Sequence, residues 1–417
     1  MRKLFIFLLV FLFSCAHLTG ESFLLPTDKE IALGSKLVPE SITRFEGLYP
    51  DEEVQSYVRE IGNKIARHAE RKLPYEFFVV NSGILNAFAL PGGKIFITRG
   101  LLLELDNESE LVGVLGHELG HVNARHHVKY LEKMLGISLL LQIGALLIGE
   151  NDLKERALLQ LASIGATLLA LKFSRDQERE ADLYGIKYAV ATGYDPRGLI
   201  KVFEKFKKIE KNRPPEWLST HPLPETRIKE VKRVISKMNL PRNLKEDSPK
   251  FHRIKKKLLA TKPSYDLCEE GKKLYRRGFK GEALEKFREA LKIFPKNQVA
   301  MVYISAIYLE KGEPEKALEY AGKITRIDPY ILWGWYLKGV SLFELKRYKE
   351  SIKALEEAKK RVATYAGIYY YLGRNYEELG NVRKAIENYR RAVKLANGKE
   401  PWYGDAKRRL MRYGVFF

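Results

Sequence analysis

His117 and His121 stand four positions apart, with Glu118 directly after the first, in the pattern His-Glu-x-x-His. On an α-helix such a pair shares one face, with Cβ atoms ~6 Å apart. Two imidazoles can then converge on a single zinc ion at ~2.0–2.1 Å. Glu118, beside them, is placed to act on a water rather than to ligate. A charged helical surface can produce the same pattern by accident. Against that, the apolar run Leu111-Val112-Gly113-Val114-Leu115-Gly116 leads into it, more histidines follow in Asn123–Val128, and acidic groups wait downstream. In Phe173–Asp182 (FSRDQEREAD), Glu178 and Asp182 are four apart and share a face. Glu178 as a third protein ligand leaves the fourth tetrahedral position open, as a catalytic zinc requires. Asp182 suits a supporting role, accepting the outer N–H of a ligating histidine. Asp176 and Glu180 are explained by the helix macrodipole alone. One zinc per chain is the implied cofactor.

Elements must position these groups. Asn107-Glu108-Ser109-Glu110 has the form of a capping box, so a helix is expected from Asn107 through His121; Ser174 and Gln177 form a second one. Gly116 and Gly120 each cost a helix up to ~1 kcal/mol, which makes sense if a strand or second helix lies close. Upstream, residues 30–70 carry two patterns of helical period. Tyr75–Val80, Asn86–Leu90 and Lys94–Thr98, with Pro91-Gly92-Gly93 between the last two, read as a small sheet with a hairpin. Leu135–Ile148 and Ala157–Leu171 are apolar but short of the ~18–20 residues a spanning helix needs. They are expected to form a helical hairpin over the site or at the membrane interface.

The chain has 417 residues and a formal net charge of +21, interleaved with glutamate throughout. No compact basic run with interleaved aromatics occurs, so nucleic acid is not expected as a partner. Arg2 and Lys3 precede the apolar run Leu4–Phe13, the form of a secretory signal, and Leu12-Phe13-Ser14-Cys15 resembles a bacterial lipobox. Lipidation is therefore expected at Cys15, with residues 1–15 as the leader. Of the two cysteines Cys268 is then left alone, which excludes an intrachain disulfide. A peptidase-like domain is expected over 24–244, a charged linker over 245–263 and a repeat domain over 264–417. In that last segment Gly271, Ser305, Gly339 and Gly373 fall on a 34-residue grid. Ala283, Ala317, Ser351 and Ala385 follow the same period, as do Ala290, Ile324, Ala358 and Ala392. That period resembles the tetratricopeptide repeat, in about four copies plus a C-terminal helix. Most of the tyrosines from Tyr265 onward are expected to pack between repeats, the others to line a groove for extended polypeptide.

GHELGHVNARHH, FSRDQEREAD and Ser219-Thr220-His221-Pro222-Leu223-Pro224-Glu225-Thr226-Arg227, in that order, resemble the zinc metallopeptidases that include HtpX and the CAAX prenyl proteases. With the added repeats the chain is most similar to the periplasmic BepA-type branch. The resemblance implies an α+β, mostly α architecture: a gluzincin-type domain with a small sheet, then an α-solenoid. It implies His117, His121 and Glu178 as zinc ligands and Glu118 as the base. His221 is implied either as a fourth ligand holding the enzyme latent or as an oxyanion stabiliser. Asn86, Ala87, Phe88 and Ala89 resemble the family's edge strand, which pairs with substrate backbone. The implied activity is a periplasmic endopeptidase, lipid-anchored at the outer membrane. It would degrade misfolded or stalled outer-membrane proteins and assist their assembly, with the β-barrel assembly machinery as a partner. The alternative is a non-proteolytic assembly chaperone that works through its repeats.

Overall fold

The computed structural model describes residues 25–133, 164–209, 215–222 and 225–416. Cys15 and its leader, Leu135–Ile148 and the first half of Ala157–Leu171 lie outside the described residues. No described helix is long and apolar enough to cross a membrane. Contacts divide the chain into two units: the described residues up to Val38 with Asp51–Lys256, and Pro39–Pro50 with the residues from Lys257 onward.

In the first unit, the part of helix α1 (Thr27–Arg44) up to Val38 is joined by α2 (Glu52–Ala66), whose first amides are capped by the Asp51 carboxylate. The expected sheet is present as β1 (Glu76–Val80), β2 (Ala87–Leu90) and β3 (Lys94–Thr98), in the order β1-β3-β2. β1 runs parallel to β3, with Glu76 opposite Lys94; β2 runs antiparallel to it, with Ala87 opposite Ile97. The hairpin turns through Gly92 and Gly93 at φ +72° and +84°, a left-handed region open to glycine at little cost. β2, like β1, is an edge strand of this sheet.

A short helix α3 (Arg99–Glu104) leads to α4 (Glu108–Asn123), which carries the His-Glu-x-x-His pattern and is buried along its whole length. A surface helix with two solvated histidines is thereby excluded. α5 (Arg175–Ala191), capped reciprocally by Ser174 and Gln177, packs against it. The two glycines explain how closely. A Cβ on Gly116 would lie 3.3 Å from Gly185 Cα, and one on Gly120 would lie 2.9 Å from Ala181 O. The close neighbour they call for is therefore a helix. Among the described residues, α6 (Arg197–Ile209), α7 (Trp217–Thr220) and α8 (Glu225–Ser236) also border the site.

The stretch 245–263 differs from the linker expected of it. Its first residues cap α4: Ser109 N–H donates to Glu246 O at 2.8 Å and Glu108 N–H to Asp247 Oδ1 at 3.2 Å, while Glu110 N–H is held by Asn107 Oδ1 at 3.1 Å. These are the unpaired donors of a helix's first turn, so a charged run that looks solvated satisfies a buried helix end. From Pro249 it is helical, in α9 (Pro249–Arg276). Ser248 Oγ caps Phe251 N–H at 3.1 Å, and proline at the first helical position loses no bond the helix would have made.

In the second unit the final turns of α9 precede α10 (Lys280–Ile293), α11 (Gln298–Glu310), α12 (Pro314–Ile327), α13 (Leu332–Glu344), α14 (Tyr348–Arg361), α15 (Ala366–Glu378), α16 (Val382–Leu395) and α17 (Tyr403–Arg412). The 34-residue grid is a packing grid. A Cβ on Gly271, Gly339 or Gly373 would lie 2.6–2.7 Å from Phe287, Leu355 or Tyr389, each sixteen residues on. At the fourth slot the Ser305 hydroxyl donates to Ala317 O at 2.9 Å. Tyr369 and Tyr389 are fully packed, as expected of repeat-core tyrosines.

Residues 39–50, expected with the N-terminal domain, pack with the repeats. Leu48 N–H donates to Asp328 Oδ2 at 2.7 Å, Gln298 Nε2 donates to Leu48 O at 2.7 Å, and the Tyr49 ring lies against Tyr265 and Phe294. The buried Asn297, Gln298 and Asp328 of the inter-repeat loops offer polar groups that this turn satisfies.

Candidate metal centre and active site

α4 and α5 bring His117, His121 and Glu178 together, and the residue after α7, His221, joins them. One ligand atom from each of the four lies within 4.8 Å of the others, all buried. Their outer contacts settle which nitrogens face inward. The Asp182 carboxylate is held below the ordinary carboxylate range; burial pushes it up, but Arg227 and His117 outweigh that. It therefore accepts, and His117 Nδ1–H is the donor at 2.9 Å. His126 Nε2–H donates to Glu180 Oε2 at 3.1 Å, leaving its Nδ1 to accept from His121 Nδ1–H at 2.9 Å. Both His117 and His121 thus present a bare Nε2 to the same point, 3.1 Å apart. Burial, reinforced by His117 and His221, holds the His121 pKa well below normal and the ring neutral.

These donors fit a metal ion. Ligands on a tetrahedral zinc at ~2.0–2.1 Å are separated by about 3.3–3.4 Å. Here His117 Nε2 lies 3.4 Å from His221 Nδ1, His121 Nε2 lies 3.5 Å from Glu178 Oε1, and His117 Nε2 lies 3.7 Å from Glu178 Oε2. Glu178 Oε2 is buried without a hydrogen bond; Arg227 Nη1 makes ion-pair contact with it, off the hydrogen-bonding direction. Two facing lone pairs and an ionised carboxylate, shut away from water, call for a cation between them. Burial raises the Glu178 carboxyl, but His221, His121 and Arg227 together hold it well below the usual range.

Glu118 lies next to the cluster and does not join it. Its Oε1 accepts from Trp217 Nε1–H at 2.9 Å and lies 3.6 Å from His221 Nε2. Asp182 stands behind His117. Asn86–Ala89 form the outer strand of the sheet and its approach; β2 packs on α4, and Asn86 Oδ1 is buried with no hydrogen-bond partner.

Four residues carry more than sequence reasoning gave them. Glu180, explained by the macrodipole alone, holds His126, and His126 holds His121. The paired His126-His127 after the motif was the available signal. Arg227 grips Asp182 with Nε to Oδ2 at 2.6 Å and Nη2 to Oδ1 at 2.8 Å, and donates to Pro222 O at 3.0 Å. Its guanidinium also lies over the Phe203 and Trp217 rings. Trp217 had no signal beyond standing four residues before His221.

Residues 51–235 match the model of peptidase family M48. Tetratricopeptide-repeat models match residues 268–330, 334–361 and 366–399. The chain is 31% identical over 221 residues to the beta-barrel assembly-enhancing protease of Yersinia pestis, covering 51% of this chain and 45% of that one. It is 38% identical over 157 residues to the mitochondrial metalloendopeptidase OMA1 of Arabidopsis thaliana, covering 38% and 31%. It is 31% identical over 159 residues to the metalloprotease LoiP of Escherichia coli (strain K12), covering 38% and 62%. The matches to the beta-barrel assembly-enhancing proteases span less than half of those proteins' length.

Proposed function

From a peptidase family M48 domain followed by tetratricopeptide repeats, we propose that the chain is a zinc-dependent endopeptidase of the cell envelope that acts on unfolded or misassembled β-barrel proteins. The observation that carries the reading is the pair of bare Nε2 atoms 3.1 Å apart, with Glu178 and the non-ligating Glu118 beside them. His117, His121 and Glu178 would hold the metal, and Asp182 and His126 fix the two rings that would face it. Zinc bound there would supply a Lewis acid for a scissile carbonyl and lower the pKa of a water. Glu118 takes the proton and returns it to the leaving amine, a contribution of ~10²–10⁴-fold. His221 Nδ1, 2.9 Å from Glu178 Oε1, would close the fourth position of a bound metal. Its place among the ligand atoms favours the latent-ligand role over the oxyanion role. Substrate enters as an extended strand along β2, whose outer edge has no ladder partner among the described residues. The repeats hold the client. The leader-like residues 1–15 and the lipobox-like Leu12–Cys15 support a periplasmic location with a lipid anchor at the outer membrane, where the assembly machinery for β-barrels would be a partner. The name borne by the Yersinia pestis relative supports this substrate class. Degradation of an unfolded outer-membrane protein, abolished by chelator and restored by one equivalent of zinc, tests the reading. Binding without zinc-dependent cleavage would instead support a non-proteolytic assembly chaperone.

A further inference from the structure

Two rings of one short turn converge on Glu118. Trp217 and His221 are joined within that turn by His221 N–H donating to Trp217 O at 2.8 Å, and their rings stack with centroids 4.6 Å apart at 20°. Trp217 Nε1–H donates to Glu118 Oε1 at 2.9 Å, and His221 Nε2 approaches the same oxygen to 3.6 Å. The other face of the His221 ring sends Nδ1 among the ligand atoms, 3.4 Å from His117 Nε2. One turn therefore covers both the fourth position and the general base. Its ends are tied on opposite sides: Trp217 N–H donates to Leu85 O at 3.1 Å, just before the edge strand, and Thr220 O accepts from Phe173 N–H at 3.1 Å. Phe203 and Phe206 pack against the indole. Trp217 is 0% exposed and Glu118 and His221 are each 1% exposed, so no peptide reaches the base in this arrangement.

We infer that Trp217 and His221 form a single two-point latch, the indole N–H holding Glu118 and the imidazole holding the fourth position, and that the site opens only when the turn withdraws as one piece. The inference rests on the reading of Glu118 as base and His221 as closing ligand, and adds that the base itself is locked. The stacked rings are the reason the two points move together, since neither can leave without unstacking or carrying the other. A closed majority lowers apparent substrate affinity by the open fraction, leaving turnover at saturation untouched.

Trp217→Phe removes the N–H donor and keeps an aromatic ring over His221. A hydrogen bond to a charged group is worth roughly ten-fold or more in the closed-to-open ratio. With the zinc-loaded full chain and an unfolded polypeptide substrate, KM is expected to fall roughly ten-fold while kcat stays unchanged. A fall in kcat at unchanged KM would mean that Trp217 orients Glu118 during turnover, and would overturn the latch. A second measurement needs neither turnover nor a change at Trp217. Of the four tryptophans only Trp217 lies outside the repeats, so the variant Trp333→Phe, Trp335→Phe, Trp402→Phe reports on it alone. Adding a peptide hydroxamate, a metal-directed ligand, should expose the indole to acrylamide quenching. Unchanged quenching with the hydroxamate bound overturns the latch. A chain that binds no zinc overturns both this inference and the reading beneath it. A zinc-loaded, Glu118-dependent peptidase with the opposite kinetic split overturns the latch alone.

Discussion

Replacing Arg227 by methionine removes the positive charge on which Asp182, behind the ligands, and Glu178, one of them, both depend. The guanidinium makes two bonds to Asp182, one to Pro222 O and ion-pair contact with Glu178, and is 4% exposed. Breaking one side of such a buried pair costs ~3–5 kcal/mol, because the partner charges remain buried and unpaired. Here Asp182 keeps only His117 Nδ1–H, and Glu178 keeps only its histidine contacts. In chelator, the first unit should therefore lose ~3–5 kcal/mol, or roughly 6–20 °C in Tm for a unit of about 200 residues. With zinc bound the loss should be smaller, because the cation compensates Glu178. Trp217 fluorescence during thermal and urea unfolding in the Trp333→Phe, Trp335→Phe, Trp402→Phe background, with and without zinc, measures both numbers on the unit that holds the site. A metal-free variant within ~1 kcal/mol of wild type would refute the role given to Arg227. Equal losses with and without zinc would refute the compensation argument.

Glu108 ties α2, α4 and the capping stretch through Tyr57 at 2.7 Å, Tyr194 at 2.5 Å and Ser248. Burial raises its carboxyl, but those three hydroxyls outweigh it and hold the folded pKa below normal. Its stabilisation is then complete above the unfolded value of ~4.3 and fades as pH falls through the lower folded value. Glu108→Gln should cost ~1–3 kcal/mol at pH 7, with the gap to wild type narrowing in urea titrations toward pH 3. Gly120→Ala sets a methyl 2.8 Å from Tyr184 Cβ and 2.9 Å from Ala181 O. The ~1–3 kcal/mol of overpacking exceeds the ~1 kcal/mol gain in helix propensity, and α5 must back away with Glu178. Zinc affinity by chelator competition should fall; unchanged affinity would mean that the close helix approach does not set the site. His126→Phe keeps the ring volume and deletes the acceptor for His121 Nδ1–H, so zinc affinity should drop ~10–100-fold in the same assay.

How much of this was legible beforehand follows from the range of the interactions. The spacing of His117 and His121, the caps at Asn107 and Ser174, and the glycines of α4 are local patterns, and each corresponds to a described feature. The repeats were legible because one packing rule recurs every 34 residues, so Gly271, Gly339 and Gly373 carry the same message three times. Trp217 and Arg227 act across 99 and 45 residues of chain. No period records such a contact, and a single arginine or tryptophan on a helix is ordinary. The capping stretch was misread for a related reason. Glu246, Asp247 and Ser248 look solvated in sequence, and only the fold brings α4's unpaired amides to them. Residues 39–50 likewise continue a helical pattern, and nothing local marks that their polar partners are Gln298 and Asp328.

The central claim is that Glu118 works on a substrate held at a metal that His117, His121 and Glu178 bind. Zinc-loaded wild type and Glu118→Gln should each hold one zinc per chain, and cleavage of an unfolded outer-membrane protein should fall at least a hundred-fold in the variant. Undiminished cleavage by a Glu118→Gln protein with full zinc would contradict the account.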